Sequence, residues 1–410
     1  MTLATLPRRL PTGSAEGSPS IHKSRDFTMN QPVLGRRQFS VGLGAAALGG
    51  FQLAHAQSEG RIVLGQSAAF TGPAAQLGVQ FNLGAKLFFD QLNAQGGVGK
   101  RTVEIRTMDD GYEPDRCAEN TRKLIAEDVF ALFGYIGTPT SLAAMPIFTK
   151  EKVPFFGPFT GAEALRQPFN RLIFHVRASY YDETALIVRQ LTNLGLKKIA
   201  VFYQNDAYGK AGLDGVTKAL TELKLSPVAT ATVERNSTDV KAAVDKLVPA
   251  KPDAVVQITA YASAASFVRA ARKAGFGGTF YNVSFVGTQA LADELGKDGA
   301  GVVVSQVVPS PYQPSRQITR EFLEAIKKGG DKVQANYSSM EGFLAARIFT
   351  EGLRQAQGSG RPTRESLITG IESLGSQVIS GFPVTYSATS HAASKFVEMS
   401  MLTGDGRVRT

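Results

Sequence analysis

Hydrophobic and polar positions follow a repeating order along this chain, in which short apolar runs alternate with amphipathic stretches. Arg61–Ala69 alternates with a period of two and ends in a turn, and Leu77–Leu92 then carries apolar residues at helical spacing. The same order returns in Thr102–Met108, Pro114–Asp128 and the apolar run Phe130–Phe133. Strands that alternate with helices of this length predict βαβ units around parallel sheets.

The alternation continues far enough for two sheets. Further strands are predicted at Val153–Phe156, Leu172–Val176, Lys198–Tyr203, Val228–Val233, Ala254–Ile258, Phe280–Val283, Val302–Val307, Pro383–Tyr386 and Lys395–Leu402. Further helices are predicted at Asp182–Leu194, Gly209–Leu223, Val240–Leu247, Ala262–Ala274, Thr319–Lys328, Tyr337–Gln357 and Arg364–Leu374. Ligands of open parallel sheets lie beyond the carboxyl ends of the strands, so we expect the binding groups in the loops that follow them.

The loop after Phe133 carries the clearest candidate chemistry. Glycine and proline break the strand there, and helical composition begins at Ser141. Thr138, Thr140 and Ser141 would lie at the N-terminus of that helix, where unpaired N–H groups and the helix dipole favour a small anion such as a carboxylate. The alternative is that these hydroxyls only cap the helix.

Composition and charge narrow the class of protein. The 410 residues, with 43% apolar and 20% charged side chains, suit two or three domains of ordinary soluble character. The formal charge is +10, but residues 1–56 hold six basic and two acidic residues, which leaves a scattered +6 elsewhere. No block of like charge stands out, so we expect no nucleic-acid binding. Ser40–Leu53 is too short and too weakly apolar to span a bilayer, and we expect no insertion of the mature chain into a membrane.

The residues that catalysis or metal binding would need are scarce. The single cysteine, Cys117, excludes an internal disulfide, and His175 and His391 are the histidines beyond residue 56. The chain has no G-x-S-x-G, H-E-x-x-H or phosphate-binding glycine motif. We therefore expect no enzyme, no metal site and no cofactor.

The first 56 residues have the pattern of an export leader. Arg36-Arg37 precedes the uncharged run Ser40–Leu53 and a small-x-small site that ends at Ala56, so cleavage is expected before Gln57. The arginine pair resembles a twin-arginine signal, although Gly35 replaces the usual hydroxyl residue. We expect translation to start at Met29, since that gives a leader of conventional length, and the mature chain to be periplasmic.

Several short motifs, taken in order, resemble type I periplasmic binding proteins of the leucine/isoleucine/valine-binding group. They are Leu92–Gly99 with Asp109-Asp110, Asp206–Gly209, Ala271–Gly275 and Tyr337–Ala346. The resemblance covers essentially the whole mature chain. It implies two α/β lobes, 57–178 with 309–382 and 179–308 with 383–410, joined by a three-crossing hinge. It also implies a monomer that delivers a small solute to the permease subunits of an ABC importer.

The resemblance also implies which residues contact the ligand. Thr138 matches the serine that binds the ligand carboxylate, and Phe159, Thr160 and Gly161 match the loop whose backbone and hydroxyl hold the ligand, with Gly161 at the hydroxyl position. Leu77 stands where relatives place an aromatic ring, and Tyr208 and Tyr261 match tyrosines of the second lobe. Ser284 is the position near which amino-acid binders carry an acid. Leu77 could equally be a core residue.

The most informative departure from the family pattern is at Ser284, because Val283–Gly287 contains no acid to hold a ligand ammonium group. Either Asp206 or Glu341 supplies that charge, or the ligand has no ammonium. Asp206 could instead cap the next helix, and Glu341 could be paired within its own lobe. The expected ligand is a branched-chain or other hydrophobic amino acid or a related small carboxylate. The alternatives are an aromatic acid or amide, or a soluble sensor of the same fold that docks on a membrane receptor.

Overall fold

A computed structural model describes residues 60–329, 333–358 and 360–410. The leader features, including the start at Met29 and the cleavage site at Ala56, lie outside the described residues and stay predictions.

The first sheet consists of five parallel strands in the order β2-β1-β3-β4-β5. The strands are β1 (Arg61–Ala68), β2 (Thr102–Asp109), β3 (Ala131–Phe133), β4 (Phe155–Phe156) and β5 (Ile173–Phe174). Helices α1 (Ala75–Ala94), α2 (Pro114–Ala126) and α3 (Thr138–Lys150) connect the first four. Every residue of β3 is buried, because a parallel strand is covered by helices on both faces.

The second sheet has seven strands in the order β14-β13-β10-β9-β8-β6-β7. Its strands are β6 (Ile199–Gln204), β7 (Ala229–Val233), β8 (Ala254–Ile258), β9 (Thr279–Asn282), β10 (Val303–Gln306), β13 (Glu398–Leu402) and β14 (Val408–Arg409). Its helices are α4 (Tyr180–Asn193), α5 (Ala207–Glu222), α6 (Lys241–Leu247), α7 (Tyr261–Lys273) and α8 (Thr288–Leu295). The strands β13 and β14 are antiparallel additions, so the chain returns to this sheet at its end.

Between β10 and β13 the chain returns to the first sheet. It forms α9 (Gln317–Gly329), α10 (Tyr337–Ala356), α11 (Arg364–Glu372) and the hairpin of β11 (Ser376–Ile379) with β12 (Phe382–Thr385). Helix α10 packs along α1, and two glycines allow the close approach. A Cβ on Gly84 would collide with the backbone of Ser339, and one on Gly342 would collide with the backbone of Phe81.

The α/β fold class, with mainly parallel sheets flanked by helices, is confirmed. The lobe boundaries stay a prediction. Helix α3 begins at Thr138, three residues before the predicted start, because Pro139 suits the first turn of a helix, where its missing N–H has no partner to lose. Helix α8 and the strands β11 and β14 were not predicted. Each is short, and α8 begins directly after Gly287, which has a left-handed backbone (φ 78°).

Candidate functional site

A cluster of hydroxyl groups lies at the start of α3, at the carboxyl end of β3. The Oγ1 atoms of Thr138 and Thr160 are 2.6 Å apart, within hydrogen-bond distance. The hydroxyl of Thr140 donates back to the carbonyl of Gly137 at 3.1 Å. The Ser141 hydroxyl is fully buried and makes no hydrogen bond to the described residues. No side chain caps α3, so the alternative that these hydroxyls are N-caps is wrong.

The loop of Phe159, Thr160 and Gly161 connects this hydroxyl cluster to the chain segment that passes to the second sheet. Phe159 lies beside Ile136 as an isolated parallel bridge, and the carbonyl of Gly161 accepts the N–H of Tyr180 at 2.8 Å. A Cβ at Gly161 would lie 2.7 Å from that same nitrogen. The resemblance implies a hydroxyl side chain that holds the ligand at the position of Gly161, but in this chain there is no room for a side chain there. The hydroxyl of this loop is on Thr160 and bonds to Thr138 in the α3 cluster.

Aromatic rings bring the carboxyl ends of the two sheets into contact. The ring of Phe285, just after β9, lies 4.4 Å from the ring of Tyr208 at the start of α5. It also lies 5.7 Å from the rings of Phe159 and Tyr112, which follow strands β4 and β2 of the first sheet. All four side chains are fully buried or nearly so. Tyr208 is thus a packed member of an aromatic cluster.

A second contact between the sheets involves Leu77 in the first turn of α1. A Cβ at Gly287 would collide with Leu77 Cδ2 and would lie 3.8 Å from the ring of Tyr261. The Tyr261 hydroxyl accepts the backbone N–H of Gln76 at 3.4 Å. Leu77 is fully buried and lies against Gly287 of the second sheet's side. It is therefore packed like a core residue, at the position where the resemblance implies a ligand contact.

These contacts join two surfaces of one candidate site. We call the residues from the first sheet's side the first wall, and those from the second sheet's side the second wall. The first wall consists of Leu77, Thr138, Phe159, Thr160 and Gly161, together with Ser141, which follows Thr138 by one turn of α3. The second wall consists of Tyr208, Tyr261 and Phe285, together with Ser284, which adjoins Phe285 in the chain. At the edge of the site, Glu113 from the first side forms an ion pair of 2.8 Å with Arg235 from the second.

Asp206 is engaged at the start of α5. Its Oδ1 accepts the backbone N–H groups of Tyr208 at 2.9 Å and Gly209 at 3.3 Å, which is the geometry of a helix N-cap. Its Oδ2 accepts the Gln204 amide at 2.6 Å and lies 3.5 Å from Arg235. Of the two expectations for this residue, the capping role is confirmed.

Glu341, on α10, is paired with a buried arginine. The Nε and Nη2 of Arg177 donate to its two carboxylate oxygens at 2.8 and 2.7 Å, and both side chains are almost completely buried. Burial opposes the charge on Arg177, but the Glu341 carboxylate holds its pKa above the ordinary value. Arg177 follows β5 closely, so this pair lies where the chain leaves the first sheet, and the expectation that Glu341 is paired is confirmed.

A third carboxylate, which the sequence did not single out, stands beside Ser284. Glu183 on α4 accepts the backbone N–H of Ser284 at 2.7 Å and its hydroxyl at 3.1 Å, and the Ser305 hydroxyl donates to it at 2.6 Å. Burial raises the pKa of Glu183, while Arg177 and the two serines favour its ionised form. The acid expected near Ser284 is therefore present in space, although it comes from another helix.

The eight residues predicted from the sequence all lie at the carboxyl ends of the two sheets. Six of them take part in the contacts described above, between or within the two sides of the site, and the exceptions are Gly161 and Ser284. Ser284 contacts Glu183 instead. Sequence reasoning left out Tyr112, Arg177, Glu183 and Phe285. Phe285 could have been found because it adjoins Ser284 in the loop after β9. The partners of Arg177 and Glu183 lie 164 and 101 residues away, and no local pattern signals such pairs.

Within residues 60–329, 333–358 and 360–410, no group of three or more His, Cys, Asp and Glu side chains could hold a metal ion. The same part of the chain contains no helix that is both long and apolar enough to cross a membrane.

Two mainly parallel sheets whose carboxyl ends meet over buried and partly unpartnered polar groups define a two-lobed solute-binding protein. The chain belongs to the periplasmic binding protein family, whose model matches residues 61–405. Members of this family bind solutes and are not enzymes, so the expectation of a binding protein is confirmed. The type I fold is confirmed by similarity to solved structures.

Three relatives illustrate the similarity. The Leu/Ile/Val-binding protein homolog 7 of Brucella abortus is 26% identical over 341 residues, which cover 78% of this chain and 82% of that protein. The crystal structure of a possible leucine/isoleucine/valine-binding protein from Rhodopirellula baltica is 33% identical, with a TM-score of 0.81, and covers 86% of this chain and 96% of that one. A substrate-binding periplasmic protein from Ralstonia solanacearum is 30% identical, with a TM-score of 0.79 and coverage of 85% and 99%.

Proposed function

We propose that this chain is the solute-binding component of an ABC importer and captures a hydrophobic amino acid or a related small carboxylate between the two walls. The observation that carries the proposal is the hydroxyl cluster at the start of α3. Its Ser141 hydroxyl is fully buried and unpartnered among the described residues, and buried polar groups in proteins are normally hydrogen-bonded. A carboxylate placed there would accept this hydroxyl and benefit from the positive end of the helix dipole.

Binding in such a site requires the walls to separate and close again. We propose that residues 57–178 with 309–382 form one lobe and residues 179–308 with 383–410 the other, linked by three crossings. The return of β13 to the second sheet and the packing of α10 on α1 support this division. Ligand contacts to both walls would favour the closed form, because a ligand shifts an equilibrium by its differential affinity for the two states.

The proposal includes export and delivery. The leader resembles a twin-arginine signal cleaved near Ala56, which would place a monomeric mature chain in the periplasm, where permease subunits of an importer accept the loaded form. The names of the Brucella and Rhodopirellula relatives support a leucine-type or other small hydrophobic ligand.

A thermal-shift screen tests the proposal. We expect one class among aliphatic amino acids, aliphatic and aromatic carboxylates and amides to raise the melting temperature of the mature protein. Thr138→Ala should weaken binding of that class by about 1–3 kcal/mol, since hydrogen bonds to charged groups contribute this much. The matched control is Thr350→Ala, which removes a buried hydroxyl that donates to Ala346 within α10.

The two variants separate ligand contact from general stability. Both should lower the melting temperature of the free protein, but only Thr138→Ala should lower affinity. The transport proposal fails if no small solute from the screen stabilises the wild-type protein. An affinity unchanged by Thr138→Ala would remove Thr138 from the binding site and leave it a structural role.

A further inference from the structure

Arg177 has a donor that the described residues do not satisfy. Its Nε and Nη2 are bound to Glu341, and its Cζ lies 4.1 Å from the centre of the Phe159 ring, in the first wall. Its Nη1 is buried and makes no hydrogen bond to the described residues. The side chain is 1% exposed, and an unpaired buried guanidinium N–H is unfavourable. An acceptor oxygen beside Phe159 would complete this arginine.

The carboxylates at the site already have partners. Glu341 is bound by two nitrogens of Arg177, and Asp206 accepts two backbone N–H groups and the Gln204 amide. Glu183 accepts three hydrogen bonds from Ser284 and Ser305. A ligand ammonium would have to share one of these carboxylates with its existing donors, whereas Arg177 Nη1 and the Ser141 hydroxyl have no acceptor among the described residues. The polar groups therefore favour an acceptor on the ligand over a second cation.

The remaining surface is aromatic. The Phe285 ring lies 4.4 Å from that of Tyr208 and 5.7 Å from those of Phe159 and Tyr112. The Arg177 guanidinium lies over the Phe159 ring. Aromatic rings make favourable offset and edge-to-face contacts with a flat apolar group on a ligand. A guanidinium plane also stacks well on aromatic faces.

We infer that Arg177 contacts the ligand through Nη1 and that the solute is a small carboxylic acid without an α-ammonium group, either an aryl acid or a 2-oxo acid. This inference rests on the proposed function of the same site. The loop of Phe159–Gly161 connects the hydroxyl cluster of α3, which includes Ser141, with the segment that carries Arg177. Thr160 bonds to Thr138 of that cluster, and Gly161 accepts the N–H of Tyr180, three residues after Arg177. One oxygen of the acid pairs with the Ser141 hydroxyl, and another acceptor of the acid faces Arg177.

Matched ligand pairs test the ligand class with the wild-type mature protein. The pairs are 4-methyl-2-oxopentanoate with leucine and 3-phenylpropanoate with phenylalanine, compared by isothermal titration calorimetry and thermal shift. We expect at least one acid to bind at least tenfold more tightly than its amino-acid partner. If both amino acids bind more tightly than the acids, the inference is wrong and the proposed function stands. If none of the four binds, the inference is wrong, and the wider thermal-shift screen alone decides the proposed function.

A double variant tests Arg177 itself. Arg177→Met with Glu341→Met removes the whole buried ion pair, so neither charge is left alone, and such replacements preserve folding in other proteins. We expect the preferred acid to lose at least tenfold in affinity while its amino-acid partner changes less. The control replaces Arg171 and Glu372, which form a two-point pair at 2.8 and 3.0 Å outside the walls, with methionine.

The control variant should bind the acid like the wild type. An affinity ratio of acid to amino acid that stays within twofold of wild type in the Arg177/Glu341 variant would overturn the role of Arg177. If circular dichroism shows that this variant does not fold, Arg177→Lys is used instead, because lysine keeps a positive charge for Glu341 and lacks Nη1. The ratio of the affinities for the acid and the amino acid is then compared with wild type in the same way.

Discussion

The first wall includes a buried hydroxyl group without a partner among the described residues, whereas the second wall presents rings in contact with their neighbours. Ser141 is buried and unpartnered among the described residues, while Phe285 touches rings from both sheets. An acid group is common to many solutes, and hydroxyls beside a helix N-terminus recognise it without regard to the rest of the molecule. In the proposed function, the first wall would recognise the acid group, and the rings would select among acids by the shape of their hydrophobic part.

The buried carboxylates behind the two walls, in contrast, are alike. Behind the first wall, Asp110 accepts the Ser67 hydroxyl at 2.7 Å and the N–H of Tyr112 at 2.8 Å. Behind the second wall, Glu183 accepts three donors. Both are buried and both hold backbone segments that carry aromatic residues of the site. They shape the walls and do not offer an open charge to a ligand.

Among the variants that test this difference between the walls, Phe285→Ala should have the largest effect on stability and on ligand preference. Removing a buried phenylalanine usually costs about 3–5 kcal/mol in the free energy of unfolding, measured here by urea denaturation. Phe267→Ala is the control, since Phe267 stacks on Phe202 at 4.2 Å inside the second sheet's own core. Both variants should be destabilised, but only Phe285→Ala should relax the preference among ligands. Equal ligand preferences in both would contradict a selective second wall.

The next largest effect is a pH dependence that originates behind the first wall. Burial raises the pKa of Asp110 to about 6, although the Ser67 hydroxyl and the N–H of Tyr112 favour the carboxylate. Because the folded pKa lies above the ordinary value of 3.8, Asp110 stabilises the fold fully below about pH 4 and loses this contribution as the pH rises through 6. The loss amounts to about 3 kcal/mol, at roughly 1.4 kcal/mol per pKa unit.

Urea denaturation at pH 4, 5, 6 and 7 measures this change, and Asp110→Asn should remove that part of the slope. The neighbouring Asp109 does not interfere. Burial opposes its charge, but hydrogen bonds from Thr71 and the backbone lower its pKa to about 2, so its contribution is present above about pH 4 and is lost only at lower pH. A slope that is the same in wild type and Asp110→Asn would exclude Asp110 as its source.

Local patterns made the fold and part of the first wall predictable. The alternation of strands and helices follows from where short apolar runs stop, and Thr138 follows from a strand that ends in a glycine-broken loop before a helix. The second wall was harder, because its acid near Ser284 comes from α4, 101 residues earlier. Periodicity reports which face of an element is buried and carries no information on which distant element covers it.

Arg177 shows the same limit. Its partner Glu341 lies 164 residues away, and a charged residue just past a strand gives no sequence signal that it will be buried. Glu341 itself was recognised as a charge that could be paired, but the sequence left its partner open. Pairing across the chain is decided by how helices pack, here by the approach of α10 to α1 that Gly84 and Gly342 permit.

Asp206→Ala should have a moderate effect that is confined to stability. Losing an N-cap costs about 0.5–2 kcal/mol, and Asp206 caps α5 next to Tyr208 of the second wall. Thr363→Ala, which removes the cap of α11, is the control. Both variants should lower the urea midpoint, and neither should change the ratio of affinities for an acid and its amino-acid partner. A large shift of that ratio in Asp206→Ala would restore Asp206 as the residue that holds a ligand ammonium.

Ser141→Ala should have the smallest effect on stability and a clear effect on binding. The hydroxyl has no partner among the described residues, so its removal should leave the free energy of unfolding unchanged or raise it by up to about 1 kcal/mol. Affinity for a carboxylate ligand should fall roughly tenfold, because one hydrogen bond to a charged group is lost. Calorimetric titration and urea denaturation of one preparation measure both quantities. A loss of stability without a loss of affinity would mean that Ser141 supports the wall, and recognition of the acid would then rest on Thr138 and the α3 backbone.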